Sequence, residues 1–535
     1  MKHNKCYFKI EELAYYFFFG ILFAAKGIGL EYGQKPFYLC MVIALFCFCL
    51  KMSVTAHTVK EWLLMSMMVM LGIAIYFSSG ELAALAAFLV IIGIKNIPVK
   101  RLMAVCLGIW GTSFVLSFGL GFFHIRDGVV VVHEKLGLGP IIRWSLGYTH
   151  PNVLHVSYLI FVILLLYVFE WEEKQLWKTT VFLFLGNILI FLFSVSYTGI
   201  LVVTAYLILN LYLQMRKNIT KAEAILLQCI CPFCVIFPLA GPFVLKGKAF
   251  DFFNKLLSTR FELVYNIFHE FSPSLFGTSV HFENTMANLT LDSSFAYLLM
   301  HYGIIAFVLF IIGYFFMIHH FVKTGEKKEL AMVLSIVFAG ITEQFLFNLS
   351  FKNLTFFFLG EYFFEIMKRS EGKECFWNKE ICILRRWQEK NICLPDYGAY
   401  MKTVGRKVLS WSKKLTFLVA IAGILAGMAG AFIMKLPDSV YVNRWKTDYR
   451  NEDEEVYLDM DAVSEEFNSI VIGYNGNDVG MYCFTGNIIT MEWIRNTIGA
   501  AALGSLSICI LAFGTAAIKI FSTGDEKRHE GSYCE

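Results

Sequence analysis

Long apolar stretches, separated by short polar loops, run along most of the chain. Their starting points are near Leu13, Phe37, Trp62, Leu82, Leu102, Val153, Thr179, Thr198, Ala224, Ser293, Leu330, Leu354, Leu415 and Ile494. About 17 to 25 apolar residues in helical conformation are enough to cross the hydrocarbon core of a bilayer. The pattern therefore predicts an all-α polytopic membrane protein with about 14 transmembrane helices.

Composition and charge agree with this pattern. The 535 residues are 57% hydrophobic and 16% charged, with a mean hydropathy of +0.60, which is too apolar for a soluble protein of this length. Most lysines and arginines fall in alternate loops, such as the segments KNIPVKR (95–101) and KTGEKKE (323–329). The positive-inside rule then places both termini in the cytoplasm and the larger polar loops on the outer face.

The polar segments divide the chain into three parts. Residues 1–368 form the main transmembrane bundle, with a large outer loop at 245–292. Residues 369–414 form a basic cytoplasmic linker. Residues 415–535 form a transmembrane hairpin that encloses an acidic outer domain at 437–492.

Small residues and a turn signal shape this C-terminal part. Gly423 and Gly427 form a GxxxG motif, and Ala500 and Gly504 repeat the spacing in the last span, so the two helices are expected to pack closely. Two β-like stretches flank Asn475-Gly476, which predicts a β-hairpin in the outer domain.

The large outer loop contains an amphipathic segment with one misplaced charge. On a helical wheel from 250 to 271, apolar side chains occupy one half and polar side chains the other. Arg260 lies in the middle of the apolar half, four residues from both Leu256 and Val264. A guanidinium there must snorkel, meet a buried anion or mark a site.

Other polar residues at the outer helix ends have competing interpretations. Asn152 is expected to cap the sixth span, and Arg143 is either an interfacial anchor or an anion contact. Ser196 and Tyr197 lie in the short connection SVSYTG, where capping of a helix end competes with the lining of a polar cavity. His150 belongs to the turn before the sixth span.

Three further residues near the outer face could carry proton or charge chemistry. His281 is a solvated side chain or a base, and Asp292 is a cap of the tenth span or a site residue. Glu343 is predicted inside the eleventh span, about five residues below an outer end near Asn348. A carboxylate at that depth needs a cation or a wet cavity.

These residues suit a substrate that carries phosphate near the lipid headgroups. Arginine makes bidentate, charge-assisted contacts to phosphate and stabilises a departing pyrophosphate. A histidine or carboxylate could deprotonate an attacking sugar hydroxyl. No GxGxxG, Walker, HExxH or GxSxG pattern stands in a suitable context, so neither a nucleotide nor a metal cofactor is expected, and no motif suggests nucleic-acid binding.

Four stretches, RWSLGYTHPNVLHVSY, SVSYTGIL, FNKLLSTRFELVYNIF and LDSSFAYLLMHYGIIAFVLF, resemble bacterial O-antigen and capsular polysaccharide polymerases of the O-antigen ligase superfamily. The resemblance covers about Glu12 to Lys368. It implies a metal-independent glycosyltransferase of the GT-C-like membrane type in the bacterial cytoplasmic membrane. Such an enzyme joins undecaprenyl-pyrophosphate-linked oligosaccharide repeat units into a surface polysaccharide, beside a flippase and a chain-length regulator as partners.

The resemblance carries family roles to Arg143, His150 and Asn152, to Arg260 and to Asp292. One position departs from the family, whose members commonly have SxSRTG where this chain has Tyr197. The contact that this arginine would make then differs, or another cation replaces it. Two alternatives stay open, namely an O-antigen-ligase-type transfer to another acceptor and a flippase for the same lipid.

Overall fold

A computed structural model describes residues 5–122, 125–126, 130–135, 139–280, 291–369, 376–388, 390–395, 416–433, 440–445, 469–475, 479–484, 493–502 and 504–505. Helices dominate these residues. In chain order they are α1 (Ile10–Gly27), α2 (Lys35–Val54), α3 (Val59–Ser79), α4 (Ala83–Gly93), α5 (Val99–Phe122), α6 (Pro151–Val168), α7 (Glu173–Ser194), α8 (Tyr197–Met215), α9 (Lys221–Val244), α10 (Lys248–Leu256), α11 (Arg260–Glu270), α12 (Ser294–Tyr297), α13 (Gly303–Thr324), α14 (Lys327–Ala339), α15 (Thr355–Arg369), α16 (Arg385–Gln388), α17 (Thr416–Ile433) and α18 (493–502, 504–505).

Eight described helices are long and apolar enough to cross a membrane. They are α2, α3, α5, α6, α7, α8, α9 and the continuous helix Ser294–Thr324, which joins α12 to α13 through a π-helical turn at Leu298–Tyr302. Many of their large apolar side chains face outward; Phe77, for example, is 82% exposed and Phe182 73% exposed. Such a surface is typical of a protein solvated by lipid. The prediction of an all-α multi-pass membrane protein is confirmed.

Several helix starts are fixed by capping side chains. Thr58 before α3 and Thr220 before α9 each form a capping box with the glutamate three residues later. His150 caps α6, because its Nδ1 accepts a hydrogen bond from the Asn152 amide. The expectation that Asn152 is this cap is therefore wrong. Its side chain is directed to another partner, described below.

Two predicted helices are interrupted. The amphipathic segment from 250 to 271 is not one helix, because α10 ends at Leu256 and α11 begins at Arg260. The eleventh span does not reach Asn348 either, since α14 ends at Ala339 and is followed by non-helical chain with a 3₁₀ turn at Gln344–Leu346. Glu343 thus lies beyond the helix that was expected to contain it.

Four small sheets complete the described structure. Strands β3 (Val130–Lys135) and β4 (Gly139–Trp144) form a hairpin before α6. The strands of the other sheets are β1 (Lys5–Lys9) with β6 (Asn391–Pro395), β2 (His57–Thr58) with β5 (Glu380–Ile381), and β7 (Val440–Trp445), β9 (Val479–Phe484) and β8 (Ser469–Asn475) in that spatial order.

The C-terminal hairpin packs as its small residues predict. A Cβ atom placed on Gly427 would collide with the backbone of Ala500, and one on Gly423 would lie 2.5 Å from the Cα of Ser505. The β-hairpin predicted around Asn475 is also present, with Asn475 opposite Val479 in the β8–β9 pair.

Candidate functional site

Arg260 lies at the first position of α11 and is buried, with 6% of its surface exposed. The two residues before it, Ser258 and Thr259, have left-handed backbone conformations with φ of 54° and 65°. This tight connection ends α10 and lets the guanidinium enter the protein instead of following the face of one long helix. The misplaced arginine of the amphipathic pattern is therefore an interior side chain.

The Arg260 guanidinium makes four described contacts. Its Nε donates to the Thr342 carbonyl at 2.7 Å and its Nη1 to the Leu257 carbonyl at 3.0 Å. Its Nη2 lies 3.2 Å from Asp292 Oδ2 and 3.8 Å from Glu343 Oε1. Two carbonyls thus fix the direction of the side chain, and two carboxylates share its charged end.

The two carboxylates have different surroundings. The Asp292 side chain is 33% exposed, whereas that of Glu343 is 14% exposed and accepts a hydrogen bond from Thr198 Oγ1 at 3.0 Å. Burial, assisted by the negative charge of Asp292 and opposed by the Arg260 guanidinium, raises the pKa of the Glu343 carboxyl to about 7. Glu343 can therefore exchange a proton near neutral pH.

Arg143 forms a second buried cation at the end of β4. Only 4% of the residue is exposed, and it donates from Nε to the Ser194 carbonyl at 2.8 Å and from Nη2 to Asn152 Oδ1 at 2.6 Å. Within the described part of the chain, no carboxylate lies within 4.0 Å of it. The Arg143 charge still interacts favourably with Glu343 and unfavourably with Arg260. The interfacial-anchor interpretation is wrong for Arg143, because the side chain is in the interior.

A buried histidine that the sequence analysis did not single out supports Arg143. His155 of α6 is fully buried, with Nδ1 3.0 Å from Ser194 Oγ and Nε2 2.7 Å from Asn187 Oδ1. Ser194 thus binds His155 through its hydroxyl and Arg143 through its carbonyl. The available signal was a histidine and an asparagine within otherwise apolar spans, where polar groups need partners.

The SVSYTG connection contributes both capping and site contacts. Ser196 caps α8, because its Oγ accepts from the Gly199 amide at 3.2 Å, which confirms the capping interpretation. Thr198, two residues later, carries the hydrogen bond to Glu343. The described ring contact of Tyr197 is with Phe191, at 5.7 Å between centroids.

The structure thus brings some candidates together and leaves others apart or undescribed. Arg260, Asp292 and Glu343 form one ion-paired group. Arg143 and Asn152 form a neighbouring hydrogen-bonded pair. Ser293 is the N-cap residue of α12, and its side chain makes no capping hydrogen bond. His281 lies outside the described residues.

A cleft of about 450 Å³ lies next to the backbone at Glu343 and Gln344, on the side opposite to Arg260. Its charged lining residues are Lys26, Glu31, Glu81, Arg126 and Lys352. Gln344 also lines the cleft, while Glu343, the preceding residue, faces Arg260. Lys352 and the cleft were not anticipated from the sequence.

Comparison of the chain with protein-family models, with curated proteins and with solved structures gives no match.

Proposed function

We propose that this protein is a metal-independent membrane glycosyltransferase. It polymerises undecaprenyl-pyrophosphate-linked oligosaccharide repeat units into a surface polysaccharide at the outer face of the bacterial cytoplasmic membrane. The proposal includes about 14 transmembrane helices, a GT-C-like core and both termini in the cytoplasm. The observation that carries the proposal is the buried Arg260. Its guanidinium faces the carboxylates of Asp292 and Glu343, and its charge interacts with that of a second buried arginine, Arg143.

The paired arginines suit a leaving group that gains negative charge. The fork of Arg260 is already oriented by the Thr342 and Leu257 carbonyls, so little rearrangement is needed to bind a phosphate. In the substrate-free protein, Asp292 and Glu343 balance its charge. A pyrophosphate would compete with the more exposed Asp292 for the same Nη2 atom, and Arg143 adds a second positive charge that no described carboxylate pairs.

In the proposed reaction, a sugar hydroxyl of the incoming repeat unit attacks the anomeric carbon of the donor glycan. A new carbon–oxygen bond forms, the bond from the anomeric carbon to pyrophosphate breaks, and the pyrophosphate leaves on its lipid. Glu343 takes the hydroxyl proton, for which a pKa near neutrality is suitable. Arg260 and Arg143 stabilise the charge on the departing pyrophosphate.

Thr198, His155 and Asn152 are positioning residues in this scheme. Thr198 orients Glu343 through one hydrogen bond. Asn152 and the Ser194 carbonyl orient Arg143, and His155 orients Ser194. The arginine that the SxSRTG pattern would supply is missing, because this chain has Tyr197 at that position. In the proposed scheme, the buried Arg143 makes the phosphate contact instead.

The test is the glycan profile of a deletion strain. If the protein is the polymerase, single repeat units should accumulate on the lipid carrier in the deletion strain. Complementation with the intact gene should restore the polymer. Unchanged polymer would refute the proposal. Long polymer retained on the carrier would indicate a ligase, and repeat units confined to the inner leaflet would indicate a flippase.

A further inference from the structure

Lys352 is a buried lysine whose ammonium group makes no hydrogen bond or ion pair with the described residues. The residue is 8% exposed and lies in the non-helical chain between α14 and α15. Its described neighbour is the Trp110 ring, whose centroid is 5.9 Å from Nζ, and no hydrogen bond or ion pair to it occurs in the described part of the chain. Nearly all buried charged groups in proteins are paired, so this ammonium requires an explanation.

The ammonium belongs to the lining of the 450 Å³ cleft, where the other cations are partly satisfied. Lys26 pairs with Glu31 at 2.9 Å, and Arg126 donates to Ser117 Oγ at 3.3 Å and to the Ile28 carbonyl at 2.9 Å. The second carboxylate of the cleft, Glu81, accepts a hydrogen bond from the Tyr297 hydroxyl. Among the described residues, the charged lining thus has three cations and two carboxylates, and neither Arg126 nor Lys352 forms an ion pair with one of those carboxylates.

Maintaining this ammonium has a thermodynamic cost. Burial lowers the pKa of Lys352 to about 8, because desolvation outweighs the favourable interactions with Glu31 and Glu343. A lysine with a purely structural role would be expected to bind a carboxylate or carbonyl, as Lys51 does with the Glu11 carboxylate at 3.6 Å and the Lys95 carbonyl at 2.7 Å. An oxyanion in the cleft would remove the cost at Lys352.

We infer that this cleft is a second anion-binding site, in which Lys352, assisted by Lys26 and Arg126, binds the phosphate of a polyprenyl-linked substrate. It is distinct from the Arg260 group. Consecutive side chains of extended chain point to opposite sides, and Glu343 has an extended backbone with φ −128° and ψ 134°. Glu343 therefore faces Arg260 while Gln344 faces the cleft, and the two anion sites lie on either side of this step.

An apolar groove supports a lipid as the source of the phosphate. The groove has a volume of about 790 Å³ and is lined along α3 from Leu64 to Ala74, with Phe276 and residues of α13 and α15 opposite. The same helix leads into the cleft, whose wall begins at Gly80 and Glu81. Ser78, between them, donates to the Gly277 carbonyl next to Phe276. A polyprenyl chain in the groove would thus present its phosphate to the cleft that Lys352 lines.

As the site of a second lipid-linked substrate, the cleft rests on the proposed function, because polymerisation needs a donor and an acceptor that each carry a phosphate. The inference that the cleft binds an anion does not depend on the proposed function. The experiment therefore measures binding without glycosyl transfer.

The full-length protein is tested in lipid nanodiscs with two probes, inorganic pyrophosphate and undecaprenyl phosphate. Differential reductive methylation, read by mass spectrometry at Lys352, locates the binding without any substitution. Binding constants are then compared for Lys352→Met, Lys352→Arg and Lys255→Met, the last being an exposed lysine of the outer loop that serves as the matched control.

We expect pyrophosphate to protect Lys352 from methylation and Lys352→Met to weaken pyrophosphate binding about tenfold or more. Lys352→Arg and Lys255→Met should bind within a fewfold of the wild type. Because Lys352→Met removes a buried unpaired charge, its Tm should equal or exceed that of the wild type. Unprotected Lys352, unchanged binding by Lys352→Met, or a lower Tm with unchanged binding would each overturn the inference.

The two probes distinguish the sources of the anion. A lipid-bound phosphate should bind more tightly than pyrophosphate, and Ala74→Trp, which fills the outer end of the groove, should remove this advantage while leaving pyrophosphate binding unchanged. Equal binding of the two probes in the wild type would refute the lipid assignment. Loss of polymerisation activity does not enter this test, so its failure is separable from that of the proposed function.

Discussion

Arg260 is held by two backbone carbonyls and two carboxylates, and each pair has a different role. The carbonyls of Thr342 and Leu257 fix the guanidinium plane, whereas Asp292 and Glu343 neutralise it. Under the proposed function, substrate phosphate would replace the carboxylates but not the carbonyls. The side chain is therefore preorganised for an anion in a way that a flexible surface arginine is not.

Arg260→Ala is expected to abolish polymer formation without preventing membrane insertion. Arg260→Lys should retain little activity, because an ammonium cannot reproduce the bidentate fork. Polymer is measured in a complemented deletion strain, and protein level in isolated membranes. Arg216→Ala, which removes an exposed arginine paired with Glu223, is the matched control and should stay active. Normal polymer from the alanine variant would make Arg260 a structural residue.

The Glu343 carboxyl predicts a specific pH dependence. A base with a pKa of about 7 must be deprotonated to act, so activity should rise with pH through an apparent pKa near 7. Glu343→Gln should lose the activity. Asp292→Asn removes a negative charge that raises the Glu343 pKa, so it should shift the rising limb to lower pH. Thr198→Val removes a hydrogen bond that lowers this pKa, so it should shift the limb to higher pH.

These shifts are measured as the pH profile of repeat-unit polymerisation by the purified enzyme. A profile in Asp292→Asn that does not move, or that moves to higher pH, would contradict Glu343 as the titrating base.

Single residues were predictable where the surrounding pattern made them anomalous. Arg260 stood out because it interrupts an apolar helix face, and its burial agrees with that reasoning. The prediction that Asn152 caps α6 was wrong, because its side chain accepts a hydrogen bond from Arg143 and His150 is the cap. The sequence does not reveal that Arg143 lies within reach of Asn152. Lys352 gave no signal, because its isolation depends on the folded positions of Trp110, Glu31 and Lys26.

At the level of elements, the amphipathic segment 250–271 was predicted with the correct buried face in its second half but with the wrong helix length. In α11 the buried residues Phe261, Val264 and Ile267 follow the helical spacing that the wheel assigned. In α10, by contrast, no residue is buried, and Leu256 is 48% exposed. Periodicity identifies the buried face of α11 but not of α10. The break between the two helices depends on two left-handed residues, Ser258 and Thr259, and neither is a glycine that would have signalled it.

Thr259→Gly is expected to stabilise the break between α10 and α11. A β-branched residue in the left-handed region costs about 1 kcal/mol or more, and glycine relieves that cost, although it also loosens the unfolded chain. The expected change is a small rise in Tm with activity retained. Thr259→Ala keeps the Cβ atom and serves as the control, which should not gain stability. A clear loss of stability in Thr259→Gly would mean that the segment is helical in the membrane.

Gly199→Ala tests the close approach of α8 to α6. A Cβ atom at Gly199 would collide with the His155 ring, so the substitution should displace the ring from Ser194 and loosen Arg143. We expect a loss of about 1–3 kcal/mol in stability, together with reduced polymer. Gly108→Ala is the matched control, because that helical glycine has no atom within 4 Å of the added Cβ. Equal behaviour of the two variants would exclude this contact as a constraint on the site.

For the whole molecule, hydropathy predicted the apolar segments accurately, but it predicted the length and regularity of the helices less well. The helix starts lie close to the predicted span starts, yet α4 has 11 residues, α14 has 13 and α15 has 15. The apolar chain after α14 continues as buried non-helical backbone, which a membrane protein tolerates where other protein segments cover it. Eight of the helices in the described part of the chain reach spanning length, and the count of about 14 stays a prediction.

The C-terminal hairpin joins the main bundle close to the candidate site. A Cβ atom at Gly499 would collide with the Phe122 ring and lie 2.8 Å from that of Phe193, so α18 packs tightly against the ends of α5 and α7. Phe193 is 2% exposed and directly precedes Ser194, whose carbonyl binds Arg143. The hairpin therefore supports the site from outside without supplying a described residue to the Arg260 group.

Under the proposed function, deleting residues 414–535 should therefore lower polymer formation without abolishing it. Uncovering Phe193 and Phe122 removes apolar contacts worth about 1–3 kcal/mol, and the looser end of α7 should lower polymer yield a fewfold. Gly427→Leu is the companion variant, because it separates the two hairpin helices from each other without removing the helix that carries Gly499. It should preserve more polymer than the deletion. Wild-type polymer and Tm in the deletion would show that the hairpin does not support the site, and complete loss of polymer would show that it supplies a part of the enzyme that the Arg260 group lacks.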